Sequence, residues 1–179
     1  MNDPYKQPAF SLKNRMGRVL WGVVCAFLFR PSPRPFFAWR NFLLGCFGAK
    51  IGKGTHIYPK ADIWAPWNLV CEDVVAIADG AVIYNPSLIL LGSHSTISQA
   101  GYLCGATHDY DDPAFPLVSA PITLGPYSWV CARATVQMGV TLGEGAVLGL
   151  GGVATKDLDP WTVYGGIPAR KIRERVIHG

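Results

Sequence analysis

The chain has 179 residues, 50% of them hydrophobic and 16% charged, which suits one domain and leaves apolar surface for a core, an oligomer interface or a membrane surface. The formal charge of +4 reads as modest and spread out, without the basic stripe interleaved with aromatics of nucleic-acid binders, so nucleic acid is set aside. Cys25, Cys46, Cys71, Cys104 and Cys131 form no CxxC pair, and no secretory cleavage pattern is present, which argues against a disulfide framework or zinc ribbon and for a cytoplasmic protein.

Residues 1–50 are rich in aromatic and aliphatic side chains, and Arg30 to Pro35 (RPSPRP) separates two predicted helices near 14–29 and 36–47. Val19 to Phe29 is an unbroken apolar run that as a helix would span about 17 Å, against roughly 30 Å of hydrocarbon. It cannot cross a bilayer alone, and no small-residue cleavage site marks it as a signal peptide. The segment is expected to cap the remainder of the chain. Trp21, Phe27, Phe29 and Trp39 beside Arg15, Arg18, Arg30, Arg34 and Arg40 add a second expectation, peripheral docking at the inner face of a membrane.

From Ile51 onward aliphatic residues return every six positions: Ile51, Ile57, Ile63; after a two-residue slip Cys71, Ile77, Ile83; after another Leu91, Ile97, Leu103; and after a longer break Leu124, Val130, Val136, Leu142, Leu148. Four residues after most of these stands a small or β-branched residue, with Trp67 the main exception. Offsets of four and six are even, so in an extended chain these side chains point the same way, whereas a helix would scatter them. Short strands with one side always apolar close by coiling around a common axis. The expected fold is an all-β solenoid, a parallel β-helix of about five coils over 51–157, with the N-terminal helical cap at 1–50 and a short C-terminal tail at 158–179. A β-sandwich does not hold one six-residue phase over this length. The repeat breaks between Gly105 and Pro121, where a loop must leave the solenoid, and such excursions are where function concentrates.

This pattern strongly resembles the hexapeptide-repeat acyltransferases, whose repeat reads aliphatic, small or Gly, any, any, small, any. The resemblance implies a left-handed coil, against the usual crossover rule. APWNLV (Ala65 to Val70), ISQAGYLCGATHDYDDPAFPL (Ile97 to Leu117) and GGIPARKI (Gly165 to Ile172) resemble the branch containing the colanic acid biosynthesis acetyltransferases, with galactoside, maltose and nodulation-factor acetyltransferases nearby. It implies an acetyl-CoA-dependent O-acetyltransferase acting on a hydroxyl of a sugar or saccharide intermediate in exopolysaccharide synthesis, as a homotrimer with active sites between subunits. Another small hydroxyl or amine acceptor, xenobiotic or serine-like, is the alternative within the class.

Taking the proton of a hydroxyl requires a base near neutral pKa, for which histidine is the natural choice. His108, in the Thr107-His108-Asp109 context where the coil gives way to the excursion, matches the family's catalytic histidine; His56, His94 and His178 read as surface residues. Direct transfer is expected, Cys104 being the one candidate for a covalent route. The imidazole would be oriented by a backbone carbonyl or by Asp109, Asp79 or Glu72. Asn85 and Asp109 are the expected acceptor-binding residues, Asn85 being equally readable as a turn-capping residue. By resemblance, Trp129 flanks the pantetheine arm of acetyl-CoA, Gly151 lets the cofactor approach the backbone, Thr155 and Lys156 meet the adenine end, and Arg170 and Arg173, in a C-terminal segment on the CoA side, reach its phosphates. Related enzymes carry a hydroxyl three residues after this tryptophan; here Ala132 stands there. The γ-type carbonic anhydrases share the solenoid but bind zinc through three histidines, two of them close in sequence, a pair this chain lacks, so no metal is expected. An inactive scaffold on the same fold is the remaining alternative.

Overall fold

A computed structural model describes residues 9–177. Helix α1 (Leu12–Val24) starts at Ser11, whose side chain accepts from Asn14 N, and runs on as a π-helical turn, Cys25–Phe29, until the prolines of 31–35 end it. Helix α2 is Phe37–Cys46. The rest coils into a three-faced β-solenoid. The first face is five parallel strands from Lys50–Ile51 to Thr141–Leu142, and the third is five from Asp62–Ile63 to Val153–Ala154. The second has six parallel strands, from His56–Ile57 to Thr162–Gly165, and an antiparallel seventh, Arg170–Glu174.

The hexapeptide phase becomes three columns. Ile51, Cys71, Leu91, Leu124 and Leu142 stack in register on the first face. On the second stand Ile57, Ile77, Ile97, Val130 and Leu148. Ile63, Ile83, Leu103 and Val136 make the third. All but Ile51 are buried, each contributing about 1.5–3 kcal/mol of apolar burial. The columns continue through Ala154, Leu158 and Tyr164, so the stack has about six coils rather than five. The sixth was hidden because the spacing from Ala154 to Leu158 shrinks to four and the column ends on a tyrosine. Small residues four places on, such as Ala81, Ala134 and Ala146, are buried. Trp67 breaks that rule because it serves the cap: Cβ atoms built at Gly17 and Gly48 would each lie 3.2 Å from its side chain.

Along the strands each coil's N–H groups donate to the next coil's carbonyls, as from Tyr58 N to Ile77 O (3.0 Å) and Trp64 N to Ile83 O (3.1 Å), and at the turns the donation reverses, as from Val74 N to Lys53 O (2.8 Å). The strand carbonyls of the first coil therefore face the N-terminal helices with no strand below them. Side chains take three of these: Trp21 Nε1 donates to Ile63 O (2.7 Å), Arg40 Nε to Ile57 O (2.6 Å) and Asn41 Nδ2 to Thr55 O (2.8 Å). Arg40 is wholly buried, and its Nη1 donates to Ser32 Oγ and Pro33 O and its Nη2 to Arg34 O. Burial pulls its pKa down, with Asp79 and Tyr58 opposing. The cap is thus built from the helices and from the RPSPRP linker together.

Replacing Arg40 by alanine should cost about 3–5 kcal/mol, because it leaves a cavity and several buried carbonyls without donors. Denaturant unfolding followed by circular dichroism measures it; a loss under about 1 kcal/mol would show that water replaces the guanidinium.

Candidate functional site

The excursion leaves the solenoid between the third and fourth coils, at the corner joining the third face to the first. It begins as an antiparallel hairpin, Ala106–His108 paired with Leu117–Ser119, in which His108 lies opposite Leu117. Its tip is held by local turn chemistry: Asp109 Oδ1 accepts from Asp111 N (3.1 Å), Asp112 Oδ1 from Ala114 N (2.8 Å) and Asp112 O from Phe115 N (2.8 Å).

This turn carries Phe115 at a φ of +46°, a left-handed conformation costly for a side chain of that size. The result is a two-point grip on the half-buried His108. The Phe115 carbonyl lies 2.9 Å from His108 Nδ1, and the Phe115 ring stacks on the imidazole at 4.4 Å, inclined by 6°. A carbonyl can only accept, so the Nδ1 partner in the neutral ring is an N–H, which makes Nε2 the nitrogen with the free lone pair.

The acidic candidates for orienting His108 are engaged elsewhere. Asp79 pairs with Arg34 at 3.7 Å and accepts from Lys60 N, Glu72 accepts from Ser93 N and Oγ, and Asp109 is exposed and caps its own turn. Asn85 lies in the corner beneath the hairpin. It has no exposed surface, and both ends of its amide are used, Oδ1 accepting from Ala65 N (2.9 Å) and Nδ2 donating to Ala65 O (2.7 Å). It locks that corner, where Gly105 packs close over Tyr84 O. Cys104 turns its thiol to Ala106 O at 3.3 Å.

The other predicted residues lie elsewhere on the prism. Trp129 is outward on the second face, 43% exposed, with Nε1 donating to Ser98 Oγ (2.8 Å). Its row runs through Val147 and Val163 to Arg173. In the last strand a register shift beside Ile172 sets Arg173 opposite Val163 and Arg170 opposite Gly165, so both arginines share one exposed face. Gly151, at φ +65°, has open space where a Cβ would be, and Thr155 and Lys156 are exposed just beyond it. Beside Trp129 is a cleft of about 330 Å³ lined also by His94, Thr96, Ser98, Tyr127 and Arg175. His94 stacks on Tyr127 at 4.8 Å, and Arg175 donates to Tyr127 O and Gly145 O. Arg175 and Phe115 had no motif to mark them; both are recognisable only once strands are in register. Within the chain the hairpin corner and the second face are separate groups.

His56 stacks on Phe37 at 4.3 Å, so the three described histidines each have a different aromatic partner, and His178 lies outside the described residues. Among the described residues no three His, Cys, Asp or Glu side chains group to hold a metal ion, and the cysteines are free. Burial pushes the Cys71 thiol up to about 12.

No family model matches the chain. Among curated proteins it is 41% identical over 157 residues to an Escherichia coli K12 protein assigned to colanic acid biosynthesis as an acetyltransferase, WcaF, covering 88% of this chain and 86% of that one. Among solved structures, a maltose O-acetyltransferase from Clostridium difficile 630 superposes with a TM-score of 0.86 at 20% identity, covering 99% of each chain. A hexapeptide-repeat acetyltransferase of Vibrio cholerae, solved with acetyl-coenzyme A, superposes at 0.84 with 22% identity over 95% and 93%. The coil, the hairpin and the close relative together make this chain a member of the hexapeptide-repeat, left-handed β-helix acyltransferases, on the branch of the colanic acid biosynthesis acetyltransferases.

Proposed function

We propose that the protein is an O-acetyltransferase that moves acetyl from acetyl-CoA to a hydroxyl of a sugar or saccharide intermediate in exopolysaccharide synthesis, with His108 as general base. The observation that carries this reading is the grip of Phe115 on His108, which leaves Nε2 as the acceptor of a proton. The name of the close relative and the acetyl-CoA bound to the Vibrio cholerae protein support the substrates.

In this mechanism Nε2 takes the proton of the acceptor hydroxyl as its oxygen attacks the thioester carbonyl. The tetrahedral intermediate collapses, the carbon–sulfur bond breaks, and the imidazolium returns the proton to the CoA thiolate. Phe115 O stabilises the imidazolium through Nδ1–H while its ring fixes the plane. Acetyl-CoA would lie along the second face: Trp129 beside the pantetheine arm, Gly151 giving backbone access, Thr155 and Lys156 at the adenine, and Arg170 and Arg173 on the phosphates. Asp109, exposed beside His108, and Asn85, in the corner below it, are the candidates for the acceptor site. The separation of the hairpin corner from the second face supports a homotrimer, in which threefold packing would bring one subunit's corner to its neighbour's face. The trimer would act in the cytoplasm, peripherally at the inner face of the membrane. Labelled acetyl-CoA offered with a panel of free and lipid-linked sugars tests the reading; hydrolysis of acetyl-CoA with no acetylated sugar would move it to another acceptor class.

His108→Ala should lower kcat about 10²–10⁴-fold with acetyl-CoA affinity and oligomeric mass intact; retention of a third of the activity would contradict the assignment. Phe115→Ala should lower kcat about 2–13-fold, the kinetic equivalent of roughly 0.5–1.5 kcal/mol for an aromatic pair, and should add nothing in a His108→Ala background. An equal loss in both backgrounds would mean that Phe115 acts on folding alone. Replacing Arg170 and Arg173 together by alanine should raise KM for acetyl-CoA about tenfold, allowing for solvent screening, and leave the acceptor KM unchanged. Unchanged kinetics would remove both from the cofactor site.

A further inference from the structure

Helix α1 and its π-helical continuation are apolar on both sides. The inner side places Trp21, Cys25 and Phe29 in the core. The outer side, where a surface helix carries polar residues, presents Leu12, Met16, Val19, Val23 and Phe27 at spacings of three and four, with Val19 70% and Phe27 75% exposed. Trp39 joins α2 to this face, its Nε1 donating to Leu28 O at 3.0 Å and its ring lying 6.0 Å from that of Phe42. Phe27, Leu28, Phe36 and Trp39 line one open cleft there, so the exposed apolar surface crosses from one helix to the other.

The stretch of chain that carries this face holds charge of one sign. Ten of the sixteen Lys and Arg residues lie between residues 4 and 61, where there is no Asp or Glu. The net +4 thus hides a strongly cationic third and a net acidic remainder, which corrects the reading of the charge as spread out. Lys13 and Arg15 are exposed on α1, and Arg30 and Arg34 flank the linker, each with a single carboxylate near it, Asp62 at 3.5 Å and Asp79 at 3.7 Å. No described helix is long and apolar enough to cross a membrane.

We infer that the outer face of α1 and α2 is a docking surface for an anionic phospholipid bilayer, with α1 lying in the plane of the headgroups. The aliphatic and aromatic side chains insert to the acyl boundary while the cations meet headgroup phosphates. A second copy of this chain would bury the same apolar stripe but would set the exposed Lys13 and Arg15 of one copy against like charges of the other, whereas an anionic surface removes that repulsion. The inference deepens the membrane placement proposed above and is independent of the acetyl-transfer chemistry.

The test is co-sedimentation of the full chain with phosphatidylcholine vesicles and with vesicles that also contain phosphatidylglycerol, together with light scattering and turnover of a soluble acceptor. The wild type should bind the anionic vesicles, less strongly as salt is raised, and bind phosphatidylcholine alone at least about tenfold more weakly. Phe27→Glu and Val19→Glu should each lower partitioning onto anionic vesicles about tenfold or more, with mass and turnover unchanged. Arg15→Glu, which leaves the apolar stripe intact, should weaken binding and its salt dependence, so the inference stays testable if an apolar variant folds poorly. Absence of wild-type binding, or variants that bind as well as the wild type, would overturn it. A change of mass in Phe27→Glu would overturn it too, by making the face a subunit contact. Vesicle binding without turnover, or turnover without binding, would separate this inference from the enzymatic one.

Discussion

Every element depends on one constraint: each coil must set its three inward side chains directly over those of the coil below, or the hydrogen bonds between coils cannot form. In-register stacking is what makes Ile57, Ile77, Ile97, Val130 and Leu148 a column, and it holds the corners to small residues because a corner has no depth for a large one. The same stacking gives outward positions their function. A residue on the outer side repeats its place from coil to coil, so Trp129 and Arg173, far apart in sequence, fall on one row.

That constraint explains what could be read without a structure. The six-residue phase is local, so thirteen aliphatics in fourteen positions were enough to identify the solenoid, its start and its interruption. Where the phase lapsed the reading stopped, which is why the coil closed by Leu158 and Tyr164 was missed. The burial of Asn85 was not legible because a buried corner and an open rim give the same sequence signal: a polar residue before a proline. The orientation of His108 was beyond reach for another reason. It depends on a hairpin register that pairs it with Leu117 and on a left-handed Phe115, and neither leaves a periodic trace. The charge segregation was legible from the beginning but vanished in a net sum.

The hairpin also shows how a rigid scaffold and an irregular loop share the work. Below it, the fully buried Asn85 ties the corner to Ala65 through both ends of its amide. Above it, Asp109 and Asp112 build turns from their own backbone neighbours. The imidazole is thus held between a corner tied by a buried amide and a tip held by short-range bonds, an arrangement that suits the proposed role of His108 as a proton acceptor aimed before substrate arrives.

The side-chain seal at the base, where Trp21, Arg40 and Asn41 occupy the first coil's carbonyls, makes the stack directional. A repeat structure can fray from either end, but here the lower end is closed by donors from deep in the core, while the upper end finishes in Arg170–Glu174, a strand exposed at all five residues. Opening is therefore expected to begin at the top. The arginines proposed to hold the cofactor's phosphates belong to that last strand, so a bound cofactor would act as the missing lid, slowing unravelling where the protein is loosest and tying its lifetime to the supply of its donor.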